Sequence, residues 1–325
     1  MKQTHHNFDQ ETKGWVDLIH PREPSKRLTT DLDARWVIIG AGFTGLSCAR
    51  RLAELNPNEK IILLEAREIG QNASGRNSGY AVAHSHFSGG YQKSRLEHYQ
   101  RIDRINQTGL NSLKSIIENS QIECDYKDSG IYHMAADKNS SEECDQFLDY
   151  LQKREIEHTK LSKDQINMEL GTSWYLKGVK VKNGALVQPA KLVFGLADSL
   201  PSNVELYENS PVLQIDQGRV NTIKTPSSIV KAEKIIMACN YEPIAKGNLK
   251  QRVVGVTLSG SITRVLNQDE VDLLGTEPSW GCLEGLLGPL GAILGHLGAL
   301  LGHLGALLGP SWALSGCLGA LWNPL

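Results

Sequence analysis

The apolar positions fall into two kinds of pattern along the chain. Near the start, a run from Trp36 to Ile39 ends in three glycines spaced G-x-G-x-x-G, Gly40, Gly42 and Gly45. A helical pattern follows, and then a second apolar run, Ile61 to Leu64, closes on Glu65. This order predicts a strand, a tight turn, a helix and a second strand over roughly residues 35–65. Residues 1–33 form a polar lead-in draped over that unit. The stretch 66–90, AREIGQNASGRNSGYAVAHSHFSGG, is too rich in Gly, Ser and Asn for regular structure. Because it follows the second strand directly, it belongs at the carboxyl edge of the sheet, where ligands bind in such folds.

Further along, Leu96, Ile102, Ile105, Leu110, Leu113, Ile116 and Ile117 are spaced mostly by threes and fours. They predict a long amphipathic helix over 94–120, broken near Gly109. Residues 130–136 read as a strand, 139–154 as a helix, and 172–188 as loop and short strands. Pro189 suits the first turn of a helix over 189–200. Short apolar runs at 204–207, 211–216, 220–224 and 228–239 are separated by turn residues and predict strands. Another strand is expected at 251–266.

The three glycines have distinct physical tasks. Gly40 permits the turn off the first strand, Gly42 leaves room for a pyrophosphate against backbone N–H groups at the helix start, and Gly45 lets the helix pack close to the sheet. Glu65 stands twenty residues after Gly45, where a carboxylate accepts hydrogen bonds from ribose hydroxyls. The same carboxylate repels a 2′-phosphate, which disfavours NADP.

The 325 residues are 40% hydrophobic and 22% charged, an ordinary globular composition with length enough for two domains. A net charge of −2 gives no footprint for nucleic acid. The first residues carry no apolar signal core. The six cysteines form no C-x-x-C and no zinc-ligand spacing, so reduced thiols, a cytoplasmic location and no metal site are expected. Neither G-x-S-x-G nor H-E-x-x-H occurs.

From Gly281 onward the pattern changes in kind. The tail repeats LGAILGH, LGALLGH and LGALLGP, and has no charged side chain after Glu284. Three readings stand. A soluble helix would bear about 1 kcal/mol for each of its many glycines relative to alanine. A membrane span is the second reading, since Leu290 to Gly309 is twenty uncharged residues with small residues at helical spacing. The third is a translated short nucleotide repeat or a shifted reading frame, which suits the near-identical unit and the abrupt loss of charge.

Five pieces, VIIGAGFTGLSCARRLAE, LLEAREIGQNASGRNSGY, GALVQPAKLVFGLADSL, VELYENSPVLQI and IIMACNYEP, occur in this order. Together they resemble the FAD-dependent D-amino acid oxidase superfamily, in the branch of gamma-glutamylputrescine oxidoreductase and similar glycine/sarcosine-type amine oxidases. The resemblance implies an α/β fold: a Rossmann-like FAD-binding domain plus a mostly antiparallel α+β substrate domain. The FAD-binding domain would be discontinuous, 1–90 and 185–245, and the substrate domain would take 91–184 and 246–281. The family continues well beyond this point, so the substrate domain would be incomplete at its C-terminus, with 282–325 an aberrant tail.

The resemblance also implies roles. Gly40, Gly42 and Gly45 would hold the FAD pyrophosphate, Glu65 the adenosine ribose, and Arg67 would flank the adenosine end. Ser74, Arg76, Asn77 and Ser78 would contact the diphosphate and the edge of the flavin. Val212 would contact adenine through its backbone, and Ala238 and Cys239 would close on the cofactor. The implied reaction is oxidation of the C–N bond of a small-molecule amine or amino acid, with hydride passing to flavin N5 and the imine then hydrolysed; the cofactor carries this chemistry. The alternatives are a truncated FAD-binding remnant without turnover and a flavoprotein tethered to a membrane by the tail. No catalytic residue is assigned. His84, His86 and Tyr80 follow the loop and could tune amine protonation, and Arg264 could clamp a carboxylate; ordinary loop or strand-end residues are the alternative for each.

Overall fold

A computed structural model describes residues 14–84, 95–240 and 265–274. Its centre is a six-stranded mixed α/β sheet. The strands are β1 (Leu32–Ile39), β2 (Ile61–Leu64), β8 (Val204–Tyr207), β9 (Gln214–Asp216), β10 (Asn221–Lys224) and β11 (Ile229–Met237), in the order β8-β2-β1-β11-β10-β9. β8, β2, β1 and β11 run parallel, with Ile39 opposite both Leu64 and Met237. β9 and β10 turn back antiparallel at the edge.

Both faces of the parallel part are covered, and the alternation of side chains along each strand decides which residue goes where. Ile38, Ile61 and Leu63 point to a core shared with α1 (Phe43–Leu55) and α5 (Pro189–Asp198). Val37, Ile39, Ile62 and Leu64 point the other way, to a core with Tyr207, Ile223, Val230, Ala232 and Leu28. Gly45, Leu46, Ala49 and Ala53 are the buried stripe of α1, and their small size lets the helix sit close to the sheet. Pro189 opens α5 behind Gln188, whose side chain accepts from Lys191 N.

The lead-in belongs to this packing. Leu28 is 1% exposed, its N–H donates to Ser210 Oγ, and its carbonyl accepts from Ser228 Oγ. β1 itself starts at Leu32, four residues ahead of the apolar run, because residues 32–34 pair with Val230–Ala232.

A second sheet lies between β2 and β8 in sequence. It comprises β4 (Ile131–Ala135), β6 (Lys177–Val181) and β5 (His158–Ser162), all antiparallel in the order β4-β6-β5. α3 (Lys138–Lys153) covers one face through Cys144, Phe147, Tyr150 and Leu151, and α4 (Lys163–Leu170) covers the other through Ile166 and Leu170. β5 and α4 carry no strong pattern, and a capping box of Ser162 and Gln165 starts the helix.

Two sequence expectations need correction. The helix over 94–120 is not broken: α2 (Leu96–Asn119) runs through Gly109, where an added Cβ would meet nothing within 4 Å. An isolated glycine on a solvent face lowers helix propensity without interrupting the hydrogen-bond ladder. The 66–90 stretch is also not wholly irregular. Ala73–Gly75 forms a 3-10 turn, and β3 (Tyr80–Val82) pairs antiparallel with β7 (Gly184–Leu186). That three-residue ladder is made by a distant partner and leaves no periodicity to detect. The strand expected at 251–266 lies outside the described residues except for 265 and 266, which are not in a strand, and the tail lies outside them entirely. Among the described residues, no helix is long and apolar enough to cross a membrane.

If the lead-in is part of the core, Leu28→Ala should cost about 2–5 kcal/mol. Denaturant melts of the full chain would show a lower midpoint, whereas Arg27→Ala, at an exposed position, should leave it nearly unchanged.

Candidate functional site

The site gathers at the carboxyl ends of β1, β2 and β11. Gly40 N donates to Leu64 O at 2.8 Å, and Ala238 N donates to Ile39 O at 2.7 Å. Gly40 has a φ of +101°, and a Cβ there would lie 2.5 Å from Ala238 O. No other residue type takes that turn against that neighbour. The turn delivers the chain to Gly42, the residue before α1. Helix starts leave their first N–H groups without intrahelical acceptors, and their dipole favours an anion. At Gly42 the φ is ordinary, but an added Cβ would stand 2.7 Å from Ser74 Oγ, so the glycine makes room for the Ser74 hydroxyl to cross the helix start. Gly45 differs, since a Cβ there would collide with the carbonyl of Gly40.

Glu65 follows β2 and is buried. Its Oε2 accepts from Ala41 N at 2.8 Å and its Oε1 from Arg67 N at 3.1 Å, so the acid is tied directly to the glycine turn. Burial pushes the carboxyl up, against the pull of the Ala41, Arg67 and Ala66 N–H groups, and the neighbouring Glu208 pushes the same way. Arg67 is half-buried, and its carbonyl accepts from Asn209 N at 3.0 Å.

The 73–79 loop crosses the start of α1. Ser74 Oγ accepts from Phe43 N at 3.0 Å, which leaves the hydroxyl proton free to donate elsewhere. The Asn77 side chain organises the loop itself: Nδ2 donates to Ala73 O and Ser74 O, and Oδ1 accepts from Gly79 N. Arg76 and Ser78 are exposed on the same loop. Val212, just ahead of β9, packs against the second core, and Cys239 lies half-buried beside Gly40.

Of the other candidates, Tyr80 is in β3, and His84 follows it with both ring nitrogens buried and without a hydrogen bond. His84 Nδ1 stands 3.6 Å from Asp103 Oδ1 of α2, and the other Asp103 oxygen accepts from the Tyr150 hydroxyl. Burial, then the hydrogen bond to Asp103, pushes the Tyr150 phenol up. His86 and Arg264 lie outside the described residues.

Several residues at the site escaped the sequence reading. Trp15 Nε1 donates to Asn77 O and Trp15 O accepts from Gln188 Nε2, so the lead-in pins the 73–79 loop to the start of α5. Glu208 closes β8 as Glu65 closes β2, and is fully buried. The signal for it was present: both apolar runs end in glutamate.

The family model described as FAD dependent oxidoreductase matches residues 35–278. Gamma-glutamylputrescine oxidoreductase of Escherichia coli K12 is 28% identical over 222 residues, which is 67% of this chain and 51% of that protein. The chain thus spans about half the length of the curated relatives it matches. Among solved structures, glycine oxidase from Geobacillus kaustophilus aligns with a TM-score of 0.54 at 19% identity, covering 64% of this chain and 55% of that one. L-amino acid deaminase from Proteus myxofaciens, in complex with anthranilate, aligns with a TM-score of 0.52 at 16% identity, over 68% and 50%. The likeness to these structures is one of fold.

Two outcomes follow from the geometry. Gly45→Ala should cost about 1–3 kcal/mol or more through overpacking, while Gly42→Ala should cost less than about 1 kcal/mol and still lower dinucleotide affinity about tenfold or more. Thermal melts and ligand titrations of the two variants separate these effects. The second concerns pH. A carboxyl raised on folding contributes stability that is complete below its unfolded value, about 4.3, and that is lost as pH rises through the folded value. A diol donating to the carboxylate runs the other way, so its affinity should rise over the same window. Glu65→Gln should flatten both profiles, measured as melting midpoints and binding constants against pH.

Proposed function

The chain belongs to the FAD dependent oxidoreductase family, and from that premise we propose that it binds FAD and oxidises the C–N bond of a small amine or amino acid. What carries the binding half is Gly42 at the start of α1, with Glu65 fixed beside it. That geometry fits an adenine dinucleotide: with no Cβ at Gly42, an anion can approach the start of α1 beside the Ser74 hydroxyl, and a ribose diol meets a buried acceptor.

In this reading, Gly42 and the α1 N-terminus receive the pyrophosphate, and Ser74 donates its free hydroxyl proton to it. Glu65 accepts from the adenosine ribose, with Arg67 alongside. Arg76 presents a fixed cationic fork from the loop toward phosphate or flavin edge, and Ser78 a hydroxyl. Asn77 serves them by holding the loop in shape. Ala238 and Cys239 close the end of β11 against the turn, and Val212 faces the adenine side. FAD, when bound, supplies the two-electron acceptor, so no protein nucleophile is needed. The amine assignment is supported by the relatives, one named for gamma-glutamylputrescine and another for glycine.

The purified full chain should be yellow, or become so on titration with FAD. Anaerobic mixing with an amine or amino acid panel that includes gamma-glutamylputrescine and glycine should bleach the blue absorbance. A folded, colourless chain that takes up no FAD refutes the reading. Uptake without bleaching by any amine reduces it to dinucleotide binding.

A further inference from the structure

The segment ahead of β1 is joined to the dinucleotide site through one buried carboxylate. Glu208 Oε2 accepts from Arg22 Nη1 at 2.6 Å and from Ser25 N, and its Oε1 accepts from Ile69 N at 2.7 Å. Arg22 Nε also donates to Asp198 Oδ1 at 2.7 Å, at the end of α5. Ile69 lies in the turn that begins at Glu65. That turn is fastened to the end of β8 by three backbone bonds: Glu65 N to Tyr207 O at 2.9 Å, Ser210 N to Glu65 O at 2.8 Å, and Asn209 N to Arg67 O at 3.0 Å. Ser210 Oγ completes the patch by donating to Glu208 O and accepting from Leu28 N.

Two carboxylates therefore share a small, dry region. Glu65 faces the N–H groups of Ala41, Arg67 and Ala66 and feels the charge of Glu208. Glu208 faces Ser25 N–H, Ile69 N–H and the guanidinium of Arg22. Arg22 is the only cation with an ion pair to either of them among the described residues, and its side chain is 12% exposed. Removing a partner from a buried pair leaves an uncompensated charge, which is far more costly than losing an exposed pair.

We propose that Arg22 is a positioning residue for the dinucleotide site: by holding and neutralising Glu208 it keeps the Glu65–Ile69 turn in place and lets Glu65 grip a ribose diol. This rests on the dinucleotide reading above. Without Arg22, Glu208 is left buried and unpaired beside Glu65, and the Glu65–Ile69 turn shifts. That shift weakens Glu65 as an acceptor, while the phosphate end at α1 stays held by the backbone bonds of Gly40 to Leu64 and of Ala238 to Ile39.

The test compares ADP with 2′,3′-dideoxy-ADP, which differ only in the diol, by calorimetric titration of the full chain at fixed pH and salt. The native chain should prefer ADP about tenfold or more, the range for hydrogen bonds to a charged group. Arg22→Ala should reduce that preference to less than about threefold through loss of ADP affinity, with dideoxy-ADP binding unchanged, and Arg22→Lys should keep most of the preference by restoring the charge. If Arg22→Ala does not fold by circular dichroism, Arg22→Gln removes the charge while retaining a hydrogen-bond donor, with the same loss expected. A neutral variant that keeps the full preference, or that loses both ligands equally, overturns the proposal, the second outcome marking a scaffold role alone. A native chain that binds dideoxy-ADP as well as ADP removes the ribose role of Glu65 and this proposal with it, and one that binds neither takes the dinucleotide reading as well.

Discussion

The close passage of three strand ends at Gly40 is the constraint from which the site follows. The Gly40 N–H reaches Leu64 O, the Ala238 N–H reaches Ile39 O, and the Ala238 carbonyl occupies the space a Gly40 side chain would need. With β1 held between β2 and β11, the chain must reverse direction in a single left-handed residue. That reversal aims the start of α1 outward at the carboxyl edge and brings Ala41 within 2.8 Å of Glu65. The direction of the α1 start and the placement of Glu65 thus both follow from one backbone turn.

Around that turn, buried polar bonds take over where apolar packing stops. β2 and β8 are neighbours although β3 to α5 lie between them in sequence. Their ends are held in register by the backbone bonds among Glu65, Arg67, Tyr207, Asn209 and Ser210. Glu208 and its partners add the lead-in to the same knot, and Trp15 adds it a second time at the 73–79 loop. Such bonds are strong here because water is excluded, and for the same reason each becomes costly when half of it is removed.

The second sheet, β4-β6-β5, is stabilised separately, by α3 on one face and α4 on the other. Its links to the first region run through β3 and β7, which join the 73–79 loop to the strand before α5, and through His84 and Asp103 at the start of α2's path across it. This arrangement leaves the Gly40 turn and Glu65 on the parallel sheet, with the second sheet built from the segment between β2 and β8. The likeness to glycine oxidase is one of fold.

Much of this was legible in the residues alone. The strand–glycine–helix–strand–acid unit, α3, α5 and the four strands from Val204 to Met237 all carry local periodicity or local stereochemistry, and β2 and β8 match their apolar runs residue for residue. Gly40, Gly42, Gly45 and Glu65 were equally readable, because a turn, a close approach and a strand-end acid impose residue types at fixed short spacings. β3, β5 and the continuity of α2 through Gly109 were not, since short ladders and helix continuity are settled by partners far along the chain. Nor did any local pattern announce that Leu28 is core, that Trp15 pins the loop, or that Arg22 neutralises Glu208. Burial and ion pairing are properties of what surrounds a side chain, and those surroundings exist only once distant segments have been brought together.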